Sequence, residues 1–194
     1  MHTRRDPHPR DPARIGELHL DHVLAQRALT DPEAFAELYR RYLTPIYGYC
    51  YRRLGSREAA EDATSQIFTR ALEALPTFRS THFRAWLFTI AHRTVIDTYR
   101  RHPRTVDIAM VEPQLPTVQF DEASLASLEL ESLYGALDRL SGDQRQVVEL
   151  RLAGLSGPEI REVLGRSRSW VDTTQFRALQ RLRKALTSEE VSDA

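Results

Sequence analysis

Between Arg166 and Lys184 the chain carries six basic residues and a single acid, Asp172. Thr173, Phe176, Arg177, Gln180, Arg181 and Lys184 recur at spacings of three and one, which places them on one side of a helix. Val171, Ala178, Leu179, Leu182 and Leu186 take the other side as an apolar stripe. A basic outer face on a helix is often only solvent cover. Here a short helix precedes it, with Ser156 as cap, Pro158 in the first turn, Ile160, Val163 and Leu164 on one face, and Gly165 at the break. Ser167 can cap the longer helix. Short helix, tight turn and basic helix is the order of a helix-turn-helix, whose second helix lies in the DNA major groove.

A second constellation lies upstream. Phe78 to Arg101 interleaves Phe78, Phe83, Trp86, Phe88 and Tyr99 with Arg79, Arg84, Arg93, Arg100 and Arg101. Arginines on phosphates and aromatics on unstacked bases are what single-stranded nucleic acid requires. The same rings have another use, as core, and Trp86 and Leu87 are assigned to it.

These blocks need elements to hold them. Thr30-Asp-Pro-Glu33 looks like a capping box opening a helix, with Phe35, Leu38, Tyr39, Tyr42, Ile46 and Tyr49 at helical spacing and Pro45 expected to kink or split it. Ala59–Leu75 and Phe83–Arg101 read as further helices, ended by Pro76 and by His102-Pro103. Residues 103–124 are Pro-containing and acidic and read as a linker. Helical patterning returns from 125. No alternating strand pattern occurs. The expected fold is all-α, two small helical domains on a flexible tether. The boundaries are 1–29, a largely disordered extension in which 18–29 can be a short helix; 30–102; the linker 103–124; 125–187; and a tail, 188–194. A tether of this kind predicts an extended free chain whose domains move independently.

The zero net charge over 27 basic and 27 acidic residues hides this partition. Arg79 to Arg104 has six basic residues and one acid, whereas Pro103 to Leu133 has one basic residue and six acids. Local field depends on that distribution and not on the sum. The single Cys, Cys50, sits in an apolar helical pattern and reads as a buried thiol. His19 and His22 have no companion ligands, so neither metal nor cofactor is expected. No apolar run is long enough for a membrane span and no signal-peptide core is present, so a cytoplasmic protein without membrane insertion is expected. No Gly-rich phosphate loop or nucleophile elbow appears, and a non-enzyme is expected.

Asp31–Arg101 resembles region 2 of bacterial RNA polymerase sigma factors of the small extracytoplasmic-function type in the sigma-70 family. The pieces that carry the resemblance are Asp31-Pro-Glu-Ala-Phe35, Ala60-Glu-Asp-Ala63, Phe68-Thr-Arg-Ala71 and Phe83-Arg-Ala-Trp-Leu-Phe-Thr-Ile-Ala91 with Ile96-Asp97. Leu140–Leu186 resembles region 4, through Leu140-Ser-Gly-Asp-Gln-Arg145, Val148-Glu-Leu-Arg-Leu152 and the helix-turn-helix. The resemblance implies a monomeric sigma factor that binds core polymerase through its beta-prime clamp helices and beta flap, directs it to promoter DNA, and is held by an anti-sigma factor.

It further implies that Asp62, Ala63, Gln66 and Phe68 dock on core polymerase. Arg79, Ser80, Thr81, His82, Phe83, Arg84, Trp86, Arg93, Arg100 and Arg101 would recognise and melt the −10 element. Arg166, Arg168, Trp170, Thr173, Phe176, Arg177 and Arg181 would engage the −35 element, with Thr173, Phe176 and Arg177 at base-reading positions and Arg166, Arg168 and Arg181 on phosphates. The acidic linker would run through the polymerase channels. Asp172 and Thr174 depart from commonly basic positions, Ser65-Gln66 from Gln-Glu, and His92-Arg93 from Arg-Asn. The alternative is a stand-alone helix-turn-helix regulator, which would need no Arg-aromatic helix in its other domain.

Overall fold

The computed structural model describes residues 12–80, 82–101 and 135–190. Seven helices are named here: α1 (Pro12–Arg27), α2 (Pro32–Leu54), α3 (Arg57–Ala74), α4 (Phe83–Arg101), α5 (Gly142–Leu152), α6 (Gly157–Leu164) and α7 (Arg168–Glu190). Residues 135–138 are also helical, and no strand occurs among the described residues. The all-α expectation holds; the linker 103–124 and Thr81 lie outside the described residues.

Helices α1 to α4 pack on one another as a first unit. Asp31 caps α2, its side chain accepting from the Glu33 N–H at 3.1 Å, while Thr30 donates to the Arg27 carbonyl instead. The cap is therefore one residue later than the spacing suggested. Pro45 does not split α2, which is continuous to Leu54. A proline ring forfeits one backbone hydrogen bond; burial of Tyr42, Ile46 and Tyr49 on either side holds the helix through it. Around these lie Leu38, Ile67, Leu87 and Phe88, all buried, with Tyr49 and Phe88 in edge contact at 5.7 Å. Cys50 is buried too.

The short helix expected over 18–29 is present and begins earlier, as α1 from Pro12 to Arg27. Asp21, Leu24 and Ala25 are buried, and α1 packs on both α2 and α4. The first unit therefore begins inside the segment read as an extension.

In the second unit α5, α6 and α7 pack together. Ser141 and Gln144 form a reciprocal capping box on α5. Gly165 takes the left-handed conformation, φ 61°, that ends α6.

The two units touch one another. Val147, Leu150, Leu155, Ile160, Val163 and Val171 share one buried cluster with the first unit. Helix α4 packs on α6, and α2 on α5. Across the same boundary Arg145 donates to the Arg52 carbonyl at 2.9 Å, and Arg53 lies 3.3 Å from the fully buried Glu149 carboxylate. Periodicity within each helix could not reveal this, because the buried faces read as intradomain core.

His92 sits beside this boundary. The Tyr49 hydroxyl and His92 Nδ1 are 3.0 Å apart, and burial holds the Tyr49 phenol well above its usual range, so the phenol donates and the imidazole is neutral. Burial, with Arg53 and Arg93 nearby, pushes His92 down to about 4. A folded value below the unfolded one gives stability that is complete above pH about 6.5 and is lost as pH falls to about 4. That loss is expected to reach up to about 3 kcal/mol, at about 1.4 kcal/mol per pH unit. Urea unfolding of wild type and His92→Gln at pH 7 and 4.5 checks it: the variant should lose less stability on acidification, and equal losses would remove His92 as the cause.

Candidate nucleic-acid interface

A 3-10 turn, Leu75–Thr77, leads into the loop before α4. Phe78, Phe83 and Trp86 form an aromatic triangle, with ring centroids 5.7 Å apart for Phe78–Phe83 and 5.0 Å for Phe78–Trp86. Phe83 is only 2% exposed, so the ring assigned to DNA is core and holds the loop; Trp86 is half-buried above it. Ser80 Oγ accepts from the His82 N–H at 3.0 Å and fixes the entry to α4. Arg79 turns back onto the Pro76 and Phe78 carbonyls, at 2.9 Å each, while Arg93 and Arg100 stand exposed along α4. The side chain of Arg101 is outside the described set.

Arg84 is aimed by a relay that the sequence did not disclose. Its Nε donates to the Tyr42 hydroxyl at 3.5 Å, and Tyr42 in turn donates to Asp21 of α1. Burial and Asp21 keep the Tyr42 phenol protonated, and burial pushes the Asp21 carboxyl up. Asp21 also faces Arg41 at 3.3 Å. Helix α1 thus sets the position of a residue on α4.

In the second unit Ser167 Oγ accepts from the Trp170 N–H at 3.3 Å and caps α7. Ser156 is the N-cap of α6 in a capping box with Glu159, whose carboxylate accepts from the Ser156 N–H at 2.7 Å and from its hydroxyl. On α7, Val171 and Ala178 are buried, Leu182 packs against the core, and Arg151 of α5 donates to Gln175 at 2.8 Å. These contacts leave Thr173 and Arg177 outward, with Phe176 60% exposed. An apolar ring that exposed on a basic face suits a thymine methyl or a sugar. Leu179 is exposed, so it leaves the apolar stripe expected of it. Asp172 lies 3.5 Å from Arg168, which neutralises the carboxylate on this face. Arg166 covers the half-buried Trp170 ring at 5.1 Å, so Trp170 supports the turn, and Arg181 donates to Gln144 at 3.1 Å.

Between α2 and α3 lies an open groove of about 450 Å³. Phe35, Tyr39, Leu43, Phe68 and Leu72 line it, with Tyr39 and Phe68 in contact at 4.6 Å. Tyr39 and Leu72 are exposed. Of the four docking residues expected on α3, Phe68 lines the groove; Asp62 and Gln66 are exposed outside its lining, and Ala63 is 1% exposed. The groove was legible as a second stripe, Phe35-Tyr39-Leu43-Tyr47 at intervals of four, beside the core stripe of α2. Among the described residues, no three His, Cys, Asp or Glu gather as a metal site, and no helix is long and apolar enough to cross a membrane.

Residues 38–105 match the family described as Sigma-70 region 2, and residues 130–182 the family described as Sigma-70, region 4. The chain is 33% identical over 193 residues to the ECF RNA polymerase sigma factor BldN of Streptomyces coelicolor, covering 96% of this chain and 71% of that protein. It is 35% identical over 161 residues to the RNA polymerase sigma factor YlaC of Bacillus subtilis, covering 80% and 93%. Among solved structures it is similar to CnrH, in complex with the cytosolic domain of CnrY, with a TM-score of 0.67, 29% identity and coverage of 87% and 98%. Two Arg-rich faces on two helical units, an apolar groove between α2 and α3, the matches to both sigma-70 regions and relatives covered over 71% and 93% of their length lead to one assignment: the chain belongs to the extracytoplasmic-function sigma factors of the sigma-70 family.

Proposed function

We propose that the chain binds core RNA polymerase and carries it to promoters, with labour divided among three surfaces. The α2–α3 groove, edged by Glu61, Ser65 and Thr69, takes the clamp helices of the beta-prime subunit together with the exposed Asp62 and Gln66 of α3. Ser80, His82, Arg84, Arg93 and Arg100 engage the −10 element; a base captured out of the stack repays a few kcal/mol of unstacking. Thr173, Phe176 and Arg177 read the −35 element, while Arg166, Arg168 and Arg181 contact phosphates. A bound protein partner in CnrH supports an anti-sigma factor as regulator of this chain.

The groove is the observation that carries the reading over a stand-alone regulator. An exposed apolar channel marks a surface that a partner covers, and it lies on the same unit as the Arg-aromatic helix α4, which a stand-alone regulator would not need. Leu72→Asp places a carboxylate where a partner would desolvate it. Leu72 is 51% exposed, so the fold survives the change. Titration of a fluorescent chain with core polymerase should show affinity weakened about tenfold or more, about 1.4 kcal/mol, with a parallel loss for Asp62→Arg. Unchanged affinity in both would move the docking face elsewhere.

A further inference from the structure

Helix α1 lies upstream of residue 38, where the match to Sigma-70 region 2 begins, yet it touches the proposed −10 surface at two points. Its Asp21 carboxylate is buried and takes two donors, the Tyr42 hydroxyl on one oxygen and Arg41 Nη1 on the other, at 3.3 Å. The Tyr42 oxygen, its proton committed to Asp21, accepts from Arg84 Nε at 3.5 Å. The Arg84 guanidinium also lies over the Tyr42 ring, 5.8 Å from its centroid, and the same ring packs on Phe83 at 5.5 Å. Arg84 is thereby held from Tyr42, while its Nη1 donates to a backbone acceptor, the Gly154 carbonyl, at 3.2 Å. The second point is His22, whose ring centroid stands 6.1 Å from that of Phe78 in the loop before α4. Phe78 in turn packs on Phe83 and Trp86.

We infer that Asp21 and Tyr42 are positioning residues for −10 recognition, which makes α1 a working part of that site and not an appendage to the first unit. This rests on the functional reading above, in which Arg84 engages the −10 element. A phenol has one proton to give, and its direction decides what the oxygen offers on the other side. With the proton on Asp21, lone pairs face Arg84. An amide at position 21 has one acceptor for two donors. Either Arg41 or Tyr42 then loses its partner, and Tyr42 can turn its proton toward the guanidinium. A long arginine side chain also loses rotamer freedom when it binds. The relay removes that freedom on folding, before any strand arrives. All three members belong to the first unit, on α1, α2 and α4, so the relay does not depend on where the second unit lies.

The test assembles full-length chains with core polymerase on a promoter fragment recovered by run-off transcription. Opening of the −10 segment is read as permanganate oxidation of its unstacked thymines. Arg84→Ala should lower opening about tenfold or more, the scale of one lost charge-assisted hydrogen bond. Asp21→Asn and Tyr42→Phe should each lower it about threefold or more, as a contact left without its supporting shell does. Neither should lower it further in the Arg84→Ala background, because both act through that side chain. In both, affinity for core polymerase and for a duplex carrying only the −35 element should stay at the wild-type value. Tyr42→Phe keeps the ring and its packing, so it decides the matter if Asp21→Asn fails to fold. Wild-type opening in Tyr42→Phe, with Arg84→Ala impaired, overturns the inference and leaves the functional reading standing. Losses in Tyr42→Phe that add to those of Arg84→Ala, or that extend to core and −35 binding, overturn it equally, since a weakened fold produces them. Wild-type opening in Arg84→Ala removes Arg84 from the −10 contacts, and the inference with it.

Discussion

Glu149→Ala is expected to lower the stability of the free chain by about 3–5 kcal/mol, the range for breaking a buried ion pair from one side. Glu149 is fully buried on α5 between two arginines. Arg145 Nε donates to it at 2.7 Å, and Arg53 of the other unit lies 3.3 Å away. Both arginines are themselves largely covered, with side chains 16% and 15% exposed. Removal of the carboxylate leaves two guanidinium groups in a place where water cannot fully replace it. Arg145 retains Asp138 as a partner and the Arg52 carbonyl, so the larger penalty falls on Arg53. Thermal and urea unfolding of Glu149→Ala, Arg53→Ala and the double variant form a mutant cycle. A coupling of about 1 kcal/mol or more is expected, within the range for groups in contact. Additive losses would show that the pair does not hold the units together.

Arg177→Ala is expected to cost about 1–3 kcal/mol on the −35 duplex, roughly 5- to 150-fold in affinity, and to relax preference at one base pair. Arg177 stands exposed on α7 beside Phe176, its helix fixed from behind by Val171 and Ala178. An arginine held on such a rigid element can pair with both acceptors of a guanine edge. Arg166→Ala, by contrast, should weaken all sequences alike and reduce the salt slope by about 1. Competition binding against single-substituted duplexes separates these outcomes. A uniform loss for Arg177→Ala would make it a phosphate contact and shift base reading to Thr173 and Phe176.

The helices and both Arg-aromatic faces were legible because their signals are local. Gly165 and Ser167 are end signals that act within one turn, and the apolar spacing on α2 and α7 is a property of single helices. What was not legible is how helices meet. Phe83 could serve base or core equally on spacing, and only its 2% exposure decides. Glu149 reads as an ordinary polar position between Val148 and Leu150, yet it is buried because Arg53, far away in sequence, faces it. Asp21 lay in a segment read as extension, and its partner Tyr42 is 21 residues on. Long-range pairings of this kind carry no periodic trace, so the contact between the two units emerged only in three dimensions.

Run-off transcription tests the assignment most directly: purified core RNA polymerase and fragmented genomic DNA of the encoding organism, with and without the chain. Discrete transcripts that require the chain are expected, with start sites that share one −10 and one −35 sequence. Transcripts independent of the chain, or none while the chain alone binds duplex DNA, would contradict a promoter-directing role and favour the stand-alone regulator.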